Sequence, residues 1–151
     1  HISTKCSVAV HCLLFVCEYG EKTKVTSGLL SRSTGINPVT IRNIMSALKK
    51  AGIISVKHGT GGTTLNCPPG EISLYHLCKA LEPDFLSKLI GVHSAPSFLC
   101  PIGQNIHSVL DCSYEKIRND LKKSLEEITL EKIISDYHTY SREGTGEITR
   151  K

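Results

Sequence analysis

Two neighbouring side chains, Arg42 and Asn43, carry donor and acceptor sets that match base edges in a double helix. Arginine can grip guanine O6 and N7, and asparagine can grip adenine N6 and N7. Val39 and the methyl of Thr40 suit thymine methyl groups. Lys49, Lys50 and Lys57 suit phosphates, which position a protein without specifying sequence. Asn37 and Pro38 place a helix start beside these residues, where unpaired N–H groups favour a phosphate. Cys100 offers a different chemistry. Pro101 follows it, so the thiol sits at a helix N-terminus, where the dipole and free N–H groups favour the thiolate, the form that reacts with oxidants. Cys67 and Cys112 are candidate partner thiols, the pairing running within a chain or across a dimer. His93, Cys100, His107 and Cys112 are metal-ligating types. Their spacings are long and contain no Cys-x-x-Cys or His-x-x-x-His pair, so no metal site is expected. Gly59-Thr60-Gly61-Gly62 lacks the Lys-Ser/Thr ending and strand-to-helix setting of a nucleotide loop and reads as a turn. The chain offers no recognisable nucleophile–base pair and no paired carboxylates, so an enzyme is not expected. A hydrolase built on Cys100 and His107 is the one catalytic combination to weigh.

The elements that must hold these residues can be read from caps and periodicity. Ser3 or Thr4 caps a helix to about Glu18, with Val8, Cys12, Phe15, Val16 and Tyr19 as its inward stripe. Thr26 caps a short helix with Leu29 and Leu30 inward, closed by Gly35. Asn37 and Pro38 open a third helix, whose Ile41, Ile44, Met45 and Leu48 recur at i, i+3, i+4 and i+7. Gly52 stops it. Ile53–Lys57 and Thr63–Asn66 form a hairpin around Gly59, Gly61 and Gly62. Ser73 caps a helix with Leu74, Leu77, Ala80 and Leu81 inward. Residues 83–99 are irregular. A long helix spans 101–127, its apolar stripe running through Ile106, Val109, Leu110, Ile117, Leu121, Leu125 and Ile128. Thr129 caps a last helix to about Tyr140. The predicted fold class is mainly α with a small β-hairpin wing: a winged helix-turn-helix followed by a long dimerisation helix. The expected division is a DNA-binding unit at 1–66, an effector and dimerisation region at 67–140, and a polar tail at 141–151.

Composition narrows the partners. The 151 residues are 40% apolar and 21% charged, an ordinary globular balance. Aromatics reach only 5%, with no Trp, which argues against a stacking platform for single strands. The net charge of +4 is unevenly spread. Residues 1–66 hold eight basic side chains against Glu18 and Glu21, a balance of +6; residues 67–151 balance at −2. A basic half of this kind suits a polyanion. The apolar run 7–17 is too short to span a bilayer and lacks a small-residue cleavage site, so a cytoplasmic protein is expected, with no membrane partner. Most of the seven cysteines then read as reduced core residues.

The segments Ile36-Asn37-Pro38-Val39-Thr40-Ile41-Arg42-Asn43-Ile44-Met45 and Leu48-Lys49-Lys50-Ala51-Gly52-Ile53-Ile54, with the glycine wing behind them, resemble the Rrf-two family of bacterial winged-helix transcription regulators. Glu71-Ile72-Ser73-Leu74, Ala80-Leu81-Glu82 and Ile128-Thr129-Leu130 extend the likeness to about residue 137. The resemblance implies a homodimer that binds double-stranded DNA through the third helix and the wing, adding His58, Gly59, Gly61 and Gly62 to the interface. It departs from the family twice. His58 stands where the family usually has a wing arginine. Cluster-binding members carry three closely spaced cysteines before the long helix, and here that region has only Cys100, so no cofactor is expected, an iron–sulfur cluster included. The cluster-free members also carry Cys-Pro-x-Gly at this point, and some sense oxidants through thiols.

The expected function is a dimeric, sequence-specific DNA-binding regulator, a repressor responsive to redox through Cys100, its effector unknown. The alternative is a winged interaction module that binds a protein partner or a small molecule, with DNA incidental.

Overall fold

Ser3 begins the first helix, its Oγ accepting from the Lys5 N–H at 3.2 Å. In the computed structural model, which describes residues 3–59 and 61–144, this helix is α1, Thr4–Tyr19. Ala9, Cys12, Leu13 and Val16 are its buried residues. The expected stripe is therefore rotated: Val8 and Phe15 are half-buried and Tyr19 is exposed. From Val8 to Cys17 the helix is apolar on nearly every side, so periodicity does not fix its rotation and packing against neighbours does. Val25, in the polar link that follows, is also buried.

Thr26 caps α2, Ser27–Thr34, which Gly35 closes in the left-handed region at φ 71°. Leu30 is buried and Leu29 only half-buried. Asn37 caps α3, Pro38–Lys50, with its Oδ1 accepting from the Val39 N–H at 2.8 Å. All four expected core residues of α3, Ile41, Ile44, Met45 and Leu48, are buried. The hairpin follows as β1, Ile54–Lys57, and β2, Gly62–Leu65, antiparallel with Lys57 opposite Gly62. Its turn needs glycine twice. Gly59 has φ 82°, and a Cβ on Gly61 would stand 2.5 Å from Lys57 Cβ.

After a 3-10 turn at Pro69–Glu71, Ser73 starts α4, Leu74–Leu81. Ser73 Oγ accepts from the His76 N–H at 3.2 Å, and the Ser73 N–H donates to His76 Nδ1 at 3.3 Å, a capping box with histidine as its return partner. Leu77 and Cys78 are buried here, whereas Leu74, Ala80 and Leu81 are half-buried. The stretch expected to be irregular contains a short helix, α5, Phe85–Leu89, with Phe85 buried. Then come α6, Pro101–Glu127, with the bounds the sequence predicts, and α7, Leu130–Gly144. The last helix runs beyond Tyr140 through the first residues expected in the polar tail; 145–151 lie outside the described residues.

The main core joins both halves of the chain. Leu13, Leu30, Ile41, Leu48 and Ile54 pack with Ile72, Leu77 and Leu130, all under 2% exposed. Each such side chain contributes about 1.5–3 kcal/mol on burial. A smaller cluster of Cys78, Phe85 and Leu125 seats the C-terminal end of α6 against α4. Two backbone hydrogen bonds tie the α6–α7 joint to the start of α4: Leu74 N–H to Ile128 O at 2.9 Å, and Leu130 N–H to Ile72 O at 2.7 Å. His138 Nε2, on α7, lies 2.5 Å from Glu18 Oε1 on α1.

Candidate nucleic-acid interface

The buried stripe of α3 turns its opposite face outward, and that face carries Val39, Arg42, Asn43, Ser46, Lys49 and Lys50, all exposed. Between this face and the wing runs an open groove of about 450 Å3. It gathers Arg42 and Lys49 from α3, Lys57, His58 and Gly59 from the wing, and Lys24 from the link before α2. Among the described residues, no acidic side chain lines it. Side chains 15 residues apart in sequence, Arg42 and Lys57, thus share one basic concavity. Grouped like-signed charge between low-dielectric walls focuses potential toward a polyanion.

The other predicted residues are arranged around it. Gly62 closes the groove floor and is itself buried, and Gly61 is exposed at the wing. Asn43 and Lys50 lie on the opposite flank of α3, beside Ala80 of α4. Thr40 is half-buried, which leaves less of it for a ligand than its neighbours offer. Asn37 and Pro38 are exposed at the helix start, with Asn37 Oδ1 committed to its cap. Sequence reasoning missed Lys24, Thr26 and Ser27 as groove residues. Lys24 Nζ donates to the Gly59 carbonyl, which pins the wing turn to the base of α2. The helix-cap signal at Thr26 was visible, but only the fold brings it beside the wing.

A family model described as Rrf2, iron-dependent transcriptional regulator, matches residues 2–136. The chain belongs to the Rrf2 family. Among its curated relatives, the Bacillus subtilis (strain 168) protein YwnA, named as an HTH-type transcriptional regulator, is 31% identical over 134 residues, covering 89% of this chain and 97% of YwnA. A transcriptional regulator from Lactobacillus plantarum has a similar structure, with TM-score 0.74 and 26% identity over 95% of this chain and 99% of that one. Staphylococcus aureus CymR in its oxidized form shares the fold at TM-score 0.66 and 18% identity, covering 89% of this chain and 95% of that one. Rrf2 proteins are transcriptional regulators by that description.

The family's description raises iron, and the cysteines of this Rrf2 chain do not fit a cluster. Cys100 is exposed at the N-cap of α6. Cys112 lies about 18 Å farther along the same helix at 1.5 Å per residue, too far to share a cluster or an intrachain disulfide with it. Cys12 is sealed in the main core, where burial pushes its thiol up to about 11. Cys6 and Cys78 face each other elsewhere. His107 Nε2 lies 3.1 Å from the His93 carbonyl oxygen, but no group of three His, Cys, Asp or Glu side chains able to hold a metal occurs among the described residues.

The loop before α6 is held closely. Gln104 Nε2 donates to the Phe98 carbonyl at 2.6 Å, and a Cβ on Gly103 would stand 2.2 Å from the Ser97 carbonyl oxygen. Cys100 is thereby fixed at the helix start beside the exposed Phe98 and Leu99. No helix among the described residues is long and apolar enough to cross a membrane.

Proposed function

We propose that this Rrf2 protein is a cytoplasmic, homodimeric, sequence-specific DNA-binding repressor. Residues 1–66 form the DNA-binding unit, and 67–140 form the effector and dimerisation region. The basic groove between α3 and the wing carries this reading, because it places base-reading and phosphate-binding side chains together without an opposing charge. Arg42, Asn43, Val39 and Thr40 read base edges; Lys49, Lys50 and Lys57 hold phosphates. Asn37 and Pro38 set the helix start against the backbone, and His58 with its glycines follows the adjacent groove. The exposed apolar residues of α6 are covered by the same helix of a second chain. Two copies then present their α3 helices to half-sites about one helical turn, or a multiple of it, apart.

Selection from random duplexes is the test. It is expected to return an inverted repeat. With Lys49, Lys50 and Lys57 on phosphates in both chains, log K should fall against log salt with a slope of about −5.4. A flat salt response and no enriched sequence would reject DNA as the partner. That result would favour the interaction module, which has one observation behind it: an apolar groove of about 510 Å3 lined by Val10, Leu14, Phe15 and Tyr19 of α1 and Tyr137 of α7.

Cys100 is the proposed redox input. It is exposed, and helix geometry separates it from Cys112 of its own chain, so any Cys100–Cys112 bond joins two chains. Mild oxidant should give a slower-migrating dimer on a non-reducing gel and change DNA affinity, and Cys100→Ser should show neither. Unchanged migration and affinity in the parent protein would end the sensor role.

A further inference from the structure

The pair formed by Cys6 in the first turns of α1 and Cys78 in α4 takes no part in the interface above. Their Sγ atoms lie 2.9 Å apart, although 72 positions separate them in sequence. That spacing discriminates between chemistries. A shared tetrahedral metal with bonds of about 2.3 Å would hold two sulfurs roughly 3.8 Å apart. A disulfide needs about 2.05 Å, so a closure of about 1 Å separates the pair from an S–S bond. The surroundings are asymmetric. Cys78 is buried with Phe85 and Leu125, while Cys6 is half-buried and touches both hydrophobic clusters. A crevice bounded by Ser3, Cys6, Cys78, Leu81, Glu82 and Phe85 reaches the sulfurs, with about 10 Å3 of room, enough for one water-sized molecule.

We propose that Cys6 and Cys78 are a redox-modification site, which hydrogen peroxide converts to an intramolecular disulfide joining α1 to α4. Hydrogen peroxide, the smallest hydroperoxide, is the one whose access the narrow crevice hinders least. The hydrogen bond from Cys6 holds the Cys78 thiol below its ordinary range, against the opposing effects of burial and Glu82. The same contact, with burial, raises Cys6, so Cys78 is the nucleophile and Cys6 keeps its proton. In the first step the Cys78 thiolate attacks one peroxide oxygen. An S–O bond forms, the O–O bond breaks, and the departing hydroxide takes a proton to leave as water. In the second step Cys6 sulfur attacks the Cys78 sulfenic acid. The S–S bond forms, the S–O bond breaks, and the hydroxyl leaves with the Cys6 proton as a second water. Two thiols lose two electrons and peroxide gains them.

The site is distinct from the proposed role of Cys100, because its bond lies within one chain and needs neither a second copy nor DNA. The test uses a full-length chain carrying Cys67→Ser, Cys100→Ser and Cys112→Ser, which leaves Cys6, Cys12, Cys17 and Cys78. After peroxide, denaturation and alkylation, mass spectrometry should count two modified thiols instead of four, and fragmentation should link Cys6 to Cys78. Dithiothreitol should restore four. Closing so long a loop should also raise Tm by roughly 5–15 °C. Adding Cys6→Ser or Cys78→Ser should remove the link and the Tm gain. Four alkylated thiols after peroxide, a bond between any other pair, or a bond without a Tm gain would overturn the proposal. The parent chain, mapped the same way, gives the same readout if the triple variant does not fold.

Discussion

Arg42→Ala is expected to remove selective binding to the operator while leaving the fold intact. Arg42 projects from the exposed face of α3, and its neighbours among the described residues carry no negative charge. A surface substitution of this kind changes stability by about 0.5 kcal/mol or less. On DNA, a bidentate contact to guanine is worth about 1–3 kcal/mol of discrimination. A dimer makes the contact twice, so affinity for the selected duplex should fall by roughly 30-fold to 20 000-fold. Fluorescence anisotropy with the selected duplex and a scrambled one separates this loss from a general weakening. Lys49→Ala is the control. It should weaken both duplexes alike and flatten the salt slope by about 0.9 per chain. If Arg42→Ala binds the selected duplex like the parent, α3 does not read bases through this residue.

The second large effect is expected from α6. Val109 is 64% exposed and Ile117 45% exposed, both on a helix whose one buried side chain among the described residues is Leu125, near its C-terminal end. Apolar residues displayed in this way along one stripe mark an association surface. Val109→Glu with Ile117→Glu places two carboxylates on that stripe. In a two-fold interface each substitution occurs twice, and burying unpaired charge costs several kcal/mol per ion. Light scattering should therefore report one chain of 16.5 kDa where the parent gives two. Operator affinity should fall on the order of 100-fold or more, because each half-site must then be held alone. A variant that remains dimeric would show that another surface joins the chains, and the apolar groove between α1 and α7 would be the next to mutate.

How far the sequence could be read depended on whether a signal was local. Asn37, Pro38 and the four apolar residues of α3 act within one helix, and its start and inward face were specified to the residue. Pro101 and the break at Ile128-Thr129 likewise bounded α6 by local chemistry. The rotation of α1 was not legible, because a helix apolar all round has no unique inward face. Helix α5 was hidden behind Pro83 and Asp84, too short for a period and lacking a side-chain cap. At the interface, α3 and the wing could be named from their residues. Lys24 could not, since it reaches Gly59 only when α2 and the hairpin fold together. The Cys6–Cys78 contact has no local trace at all; it depends on the packing of α4 against α1.

The two hydrogen bonds between Ile72–Leu74 and Ile128–Leu130 make the base of α6 a pivot and its 27 residues a lever arm. At 1.5 Å per residue the arm is about 40 Å long. A tilt of about 5° at the pivot moves the far end by roughly 3.5 Å, close to the rise of one base pair. Cys100 sits at that far end, so in the proposed dimer an event there, too small to disturb the core, would change the register between the two recognition helices by about one step of the duplex.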